Sequence, residues 1–242
     1  MTYCVAMRLA DGLVFASDSR TNAGFDQIST FRKMHTFEKP GERALVLLTA
    51  GNLATSQSVI SLLEKRCNTD EANLMNTPSM FDTAELIGQT VREVIQRDTP
   101  EVKTNHVDYS CSLILGGQIL GEGSRLFKIY REGNFIEATK ETPYFQIGES
   151  KYGKPILDRI MSYDTPLERG YQCVLISFDS TMKSNLSVGM PLDVTIYQND
   201  ELKPCIVEQV DEHNDYFHQL RASWHQGIQS LFADLQPPVV SE

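Results

Sequence analysis

The chain has 242 residues, 41% of them hydrophobic, and a formal net charge of −10. That length supplies one domain, residues 1–242, with a large buried core, and the acidic balance speaks against non-specific binding to nucleic acid or an anionic membrane, since both repel a polyanion. The five cysteines are widely spaced with no CxxC, which speaks against a disulfide framework or zinc knuckle and suits a reducing, cytoplasmic setting. No basic and apolar leader opens the sequence, and no apolar run approaches the roughly 18 residues that span a bilayer.

Tyr3 to Leu9 reads as a strand, and Asp11-Gly12 is a two-residue hairpin signal that returns the chain along Leu13 to Ala16. The first residues are therefore expected to be tied into a sheet, where most termini fray. Ser19 to Arg32 is polar and irregular. Lys33 to Phe37 alternates again, Pro40-Gly41 marks a turn, and Ala44 to Thr49 reads as a buried strand ending at Ala50-Gly51-Asn52. Asn52 is suited to cap a helix running to about Arg66. After a polar loop from Asn68 to Pro78, a second helix is predicted from about Phe81 to Gln96, with Leu86, Val91, Val94 and Ile95 on one face.

Tyr109 to Gly116 is the next strand, followed by a glycine-rich turn. Arg125 to Arg131 and Asn134 to Thr139 form a predicted hairpin around Glu132-Gly133, and Phe145 to Gly148 is a further strand. Helices are expected near Lys154 to Met161 and from Leu167 to Asp179. Val194 to Tyr197 and Cys205 to Val210 read as closing strands. A last helix, Asp215 to Leu235, carries Phe217, Leu220, Trp224, Ile228, Leu231 and Phe232 and is expected to pack on the body of the domain, with a subunit contact as the alternative. Helices thus come in pairs between strand blocks. That order fits two stacked sheets with helix pairs outside better than a doubly wound alternation.

Thr2 follows the initiator methionine, and a small second residue permits methionine removal. A freed α-amine has a reference pKa of about 7.7–8.0, so it can serve as base for the hydroxyl of its own threonine. Many chains begin Met-Thr, so Thr2 alone says little. The hairpin brings Ser17-Asp18 back beside residues 2–4, and Lys33 opens the next strand. A lysine near Thr2 favours the alkoxide, and Asp18 would hold that lysine charged. Alone, either residue reads as a solvated surface charge. Gly51 ends a buried strand before a helix N-terminus, where its N–H can face an oxyanion. It also reads as an ordinary strand-to-helix glycine. Cys4 reads as a buried structural cysteine. His35, His106, His213, His218 and His225 show no ligand spacing beyond His218 and His225 sharing a helix, so no metal is signalled.

Taken in order, the strand beginning at Thr2, Val14 to Arg20, Arg32-Lys33, Leu48 to Asn52, Leu115-Gly116-Gly117, the Leu126 to Gly133 hairpin and Phe145 to Gly148 resemble the proteasome β-subunit family, most of all its small bacterial branch named Anbu. The resemblance implies an α+β fold, a four-layer αββα sandwich of two stacked antiparallel sheets, the N-terminal nucleophile hydrolase fold. It implies a threonine peptidase acting on peptide or protein substrates, with no cofactor, assembled from many copies as a ring or helical array. Thr2 would be the nucleophile, Asp18 and Lys33 its core partners, and Gly51 N–H the oxyanion donor. Asp179 matches a later aspartate near the amine, with Ser184, or alternatively Ser180, as the supporting serine. Where the family carries Gly-Ser-Gly, this chain reads Gly148-Glu149-Ser150. That departure, with the altered segment near Ser184, motivates an alternative, hydrolysis of a small amide or peptide conjugate. A second alternative is a non-catalytic assembly subunit like the structural subunits of proteasomes, against which the retention of Thr2, Asp18 and Lys33 weighs. The same reading leaves room for a further, unidentified partner that delivers substrate.

Overall fold

The computed structural model describes residues 2–22, 28–99, 108–203 and 206–238. Met1, His106 and Cys205 lie outside the described residues.

The first sheet is built on the N-terminal hairpin. Strand β1 (Tyr3–Leu9) pairs antiparallel with β2 (Gly12–Asp18), Cys4 opposite Ser17 and Leu9 opposite Gly12. β2 runs through Asp18 rather than stopping at Ala16. Its end is completed by β11 (Leu192–Gln198), which places Leu192 opposite Asp18. A pairing partner so distant in sequence leaves no local signal. β12 (Ile206–Val210) and β10 (Tyr144–Gly148) take the two edges, giving the order β10-β1-β2-β11-β12. Within the polar stretch read as irregular, β3 (Arg20–Asn22) and β4 (Ile28–Thr30) form a small ribbon of their own.

The second sheet has the order β5-β6-β7-β8-β9, from β5 (Met34–Lys39), β6 (Arg43–Gly51), β7 (Cys111–Ile119), β8 (Arg125–Ile129) and β9 (Phe135–Glu137). Every pairing in both sheets is antiparallel. Side-chain alternation decides the layering. On β6, Leu45 and Leu47 join Val59, Leu63, Ile87 and Val91 of helices α1 (Leu53–Arg66) and α2 (Met80–Asp98) in one apolar cluster. Their neighbours Val46 and Leu48 join Ala6, Phe15 and Ile147 of the first sheet in a second cluster between the sheets. On β1, Tyr3, Val5 and Met7 face the other way, packing with Leu157 of α3 (Lys154–Ile160) and Val174 and Phe178 of α4 (Leu167–Ser184). The result is helices, sheet, sheet, helices. Because both faces of both sheets are covered, β1 and β2 are apolar along nearly their whole length and nearly fully buried.

Two helices differ from expectation. α4 continues through Ser184 rather than ending at Asp179. Its polar end is absorbed by the Thr181 hydroxyl, which donates to the Ser177 carbonyl at 2.8 Å. α5 (Asp215–Asp234) docks through Phe217, with Leu220 beside it, but Ile228, Leu231, Phe232 and Leu235 are exposed. Packing on the body therefore holds for its first half only.

Candidate active site

The centre of the site is the end of β2. Asp18 is fully buried. Its Oδ1 accepts the N–H of Tyr3 at 2.9 Å and the Lys33 ammonium at 2.7 Å, while Oδ2 faces the N–H of Gly189 at 3.4 Å. Lys33 is also buried, and its Nζ donates a second bond to the Arg20 carbonyl at 2.6 Å. An ammonium has three N–H donors. Two of them are bonded among the described residues, to Asp18 and to the Arg20 carbonyl. The Lys33 carbonyl accepts the N–H of Thr49 at 2.9 Å, tying the lysine to β6. Burial pushes the Asp18 carboxyl up. The Lys33 ammonium, as charge and as donor, and the N–H groups of Tyr3 and Gly189 pull the other way.

Thr2 is part-buried and leads directly into this centre. The residue after it is held at both ends. The backbone of Tyr3 is on Asp18. Its hydroxyl accepts from Gln146 Nε2 at 2.7 Å and meets Ser177 Oγ at 2.6 Å. Ser177 itself donates to the Gly153 carbonyl at 3.1 Å, so the Tyr3 hydroxyl is the donor to Ser177. The Tyr3 ring lies 4.5 Å from that of Phe178. With every member bonded, this network fixes the position of its neighbour, Thr2. Sequence reading missed it, because a tyrosine in an apolar strand looks like ordinary core.

On the other side of Thr2, the chain of β10 ends against it. Tyr3 pairs with Gly148, and the Glu149 N–H donates to the Thr2 carbonyl at 2.6 Å. Gly148 has φ +78, and a Cβ there would sit 2.0 Å from the Thr2 carbonyl oxygen. Only glycine permits that approach. Gly148→Ala is accordingly expected to lower stability by more than about 2 kcal/mol, read from chemical denaturation; an unchanged midpoint would contradict the crossing.

Gly51 ends β6 with φ +110, and a Cβ there would lie 2.5 Å from the Ser110 carbonyl oxygen. It is exposed, so its backbone borders open space at the head of α1. Asn52 caps that helix, its Oδ1 accepting from the Thr55 N–H at 3.2 Å. The helix dipole therefore points its positive end toward Gly51.

The remaining residues named from sequence make no hydrogen bond or ion pair with Asp18 or Lys33 among the described residues. Asp179 is buried on α4, with Arg221 Nε of α5 at 2.6 Å and Lys183 Nζ at 3.8 Å. Ser184 is exposed at the end of α4, and Ser180 is partly exposed. The segment just beyond α4 makes the closer connection: Asn185 Nδ2 donates to Glu149 Oε2 at 2.9 Å, and Gly189 reaches Asp18. Neither was found from sequence, since neither residue type signals chemistry alone. Cys4 is fully buried between the sheets, its thiol pushed up by burial and directed at the Thr49 carbonyl. Among the described residues no group of three or more His, Cys, Asp or Glu is placed to hold a metal ion, and no helix is long and apolar enough to cross a membrane.

The proteasome subunit family matches residues 2–197. Among solved structures, Anbu (ancestral beta-subunit) from Yersinia bercovieri is 59% identical, with a TM-score of 0.94 and 100% of both chains covered. The helical assembly of the Anbu complex from Pseudomonas aeruginosa is 56% identical, with a TM-score of 0.95 and again 100% of both chains covered. Anbu from Hyphomicrobium sp. strain MC1 is 44% identical at a TM-score of 0.92, covering 99% of this chain and 100% of that one. No match was found among functionally curated proteins.

Proposed function

The chain belongs to the proteasome subunit family, and from that membership we propose that it is a threonine-type peptidase whose nucleophile is Thr2, freed by removal of Met1. One observation carries the reading: a buried carboxylate binds, through a single oxygen, both the backbone leading out of Thr2 and the Lys33 ammonium. A buried ion pair is poor evidence of stability, so its position beside a prospective N-terminal threonine calls for a chemical reason.

In the proposed reaction the freed α-amine takes the proton of the Thr2 hydroxyl, and the oxygen attacks the amide carbon. Lys33 favours the alkoxide, Asp18 keeps Lys33 charged, and the Gly51 N–H stabilises the oxyanion. The protonated amine then gives its proton to the leaving nitrogen. Water, deprotonated by the same amine, releases the acyl group from Thr2. Asp179 and Ser184, from the end of α4, belong to the proposal as outer support for the amine. Geometry matters more than strength here, since an oriented base and nucleophile supply much of the rate.

The protein is further proposed to act as a homo-oligomer, consistent with the helical assembly recorded for the Pseudomonas relative and with the exposed apolar face of the second half of α5. Cys4, Cys67, Cys111 and Cys173 are all unpaired, which suits a cytoplasmic setting.

The test combines two mass measurements. The intact chain should be lighter by one methionine residue, and a β-lactone should leave its adduct on the N-terminal peptide. An adduct on part-buried Cys67, or none on a chain that begins at Thr2, would overturn the reading. Long peptides run beside small amides separate the substrate classes: turnover of small amides alone would replace peptidase by amidohydrolase.

A further inference from the structure

Among the described residues Glu149 is a buried carboxylate without a cation. It is 9% exposed. Its Oε1 accepts the backbone N–H of Lys151 at 2.9 Å and its Oε2 accepts Asn185 Nδ2 at 2.9 Å, both neutral donors. No ion pair reaches it among the described residues. A buried carboxylate left with neutral partners is costly, and the cost is relieved by a positive charge.

The position of Glu149 shows where that charge arises. Its own N–H is bonded to the carbonyl of Thr2 at 2.6 Å, and the preceding residue, Gly148, is paired with Tyr3. The carboxylate therefore belongs to the residue that follows the last paired residue of β10 and is joined through its own backbone N–H to Thr2, one residue beyond a strand pair whose opposed side chains stand roughly 5 Å apart. The chain before maturation has only a neutral peptide nitrogen at Thr2. An aminopeptidase-class hydrolysis of the Met1–Thr2 bond consumes one water, leaves the carboxyl on methionine and leaves the amine on Thr2. That amine takes up a proton and becomes a cation.

We infer that Glu149 is a positioning residue for the reactive N-terminus: its carboxylate, held by Asn185 and the Lys151 N–H, pairs with the α-ammonium group that removal of Met1 creates at Thr2. The inference rests on the reading of Thr2 as the freed nucleophile and adds how its amine is held. The pairing has two consequences. It orients the amine beside its own hydroxyl, and it makes the amine harder to deprotonate. The other charges around the start of β1 are already committed. Asp18 and Lys33 neutralise each other, and Asp179 is held by Arg221 with Lys183 farther off. The side chain of Lys151 is exposed and engages Glu149 only through its backbone. Glu149 is thus the carboxylate whose pairing changes on maturation.

The test reads the amine itself. On the full chain beginning at Thr2, produced where necessary by cleaving an N-terminal leader, competitive acetylation is followed against pH by mass spectrometry of the N-terminal peptide. The parent amine should titrate above the reference range of about 7.7–8.0. In Glu149→Gln the value should fall by about one unit, and Glu149→Asp should keep most of the elevation. Where hydrolysis is measurable, the acid limb of its pH profile should move to lower pH in Glu149→Gln. A parent amine at or below the reference range overturns the inference, and this result needs no variant to fold. So does an amine unchanged in Glu149→Gln, or one lowered equally by Gln and Asp. Labelling does not depend on turnover. A chain that shows the shift but hydrolyses nothing contradicts the peptidase reading alone, and one that hydrolyses with an unshifted amine contradicts this inference alone.

Discussion

Thr2→Ala is expected to abolish peptide hydrolysis and β-lactone labelling while leaving the fold intact. The loss should be about 10⁴-fold or more, because removing a nucleophile that works as a unit with its base costs about as much as removing the whole constellation. Stability should change little. The Thr2 side chain is part-buried and makes no hydrogen bond among the described residues, whereas its carbonyl, which binds the Glu149 N–H, survives the substitution. Surface-type changes of this kind stay within about 0.5 kcal/mol. Thr2→Ser keeps a hydroxyl on the same carbon and should retain labelling. Hydrolysis equal in Thr2→Ala and parent would place the chemistry on another residue, and hydrolysis in neither would leave a subunit that only assembles. A large drop in melting temperature with Thr2→Ala would instead show that the threonine supports the fold. Activity and stability read together thus separate a nucleophile from a structural residue.

What the sequence discloses about this site depends on how local each feature is. The β1–β2 hairpin is legible because Asp11-Gly12 is a turn signal with strands on both sides, and the hairpin alone brings Asp18 back to the start of the chain. The helix cap at Asn52 is legible for the same reason, and it locates Gly51. Long-range features are not legible in this way. The extension of β2 to Asp18 depends on β11, which follows much later in the chain. The bond from Gly189 to Asp18 depends on the loop after α4. Tyr3 is held by Gln146 and Ser177, each on a different element. None of these residues advertises its partner by type or period. The unusual Gly148-Glu149-Ser150 reads from sequence only as a departure. In the fold it becomes a carboxylate on the residue whose N–H binds the Thr2 carbonyl, because β10 pairs with β1 as far as Gly148, which adopts a backbone closed to other residues.

Lys33→Ala is expected to damage stability and activity together, and a companion substitution should separate them. Removing the ammonium leaves Asp18 buried with only the N–H groups of Tyr3 and Gly189. Breaking one side of a buried pair costs about 3–5 kcal/mol, most of it the stranded charge. The deficit should depend on pH in a definite direction. Burial already pushes the Asp18 carboxyl up, and without Lys33 its folded pKa rises further above the unfolded value of about 3.9. A group raised on folding contributes stability that is fully present below its unfolded pKa and lost as pH rises through its folded pKa. The Lys33→Ala deficit relative to the parent should therefore shrink as pH is lowered from neutral toward about 4. The double variant Lys33→Met with Asp18→Asn removes both charges and keeps much of the volume, so it should recover most of the stability. It should recover none of the activity, because no ammonium remains to favour the alkoxide of Thr2. Denaturation of the single and double variants, with labelling by the same β-lactone, checks both halves. Activity that returned with stability in the double variant would reduce Asp18 and Lys33 to scaffolding. Stability lost equally in both would mean that the cost lies in packing rather than in the stranded carboxylate.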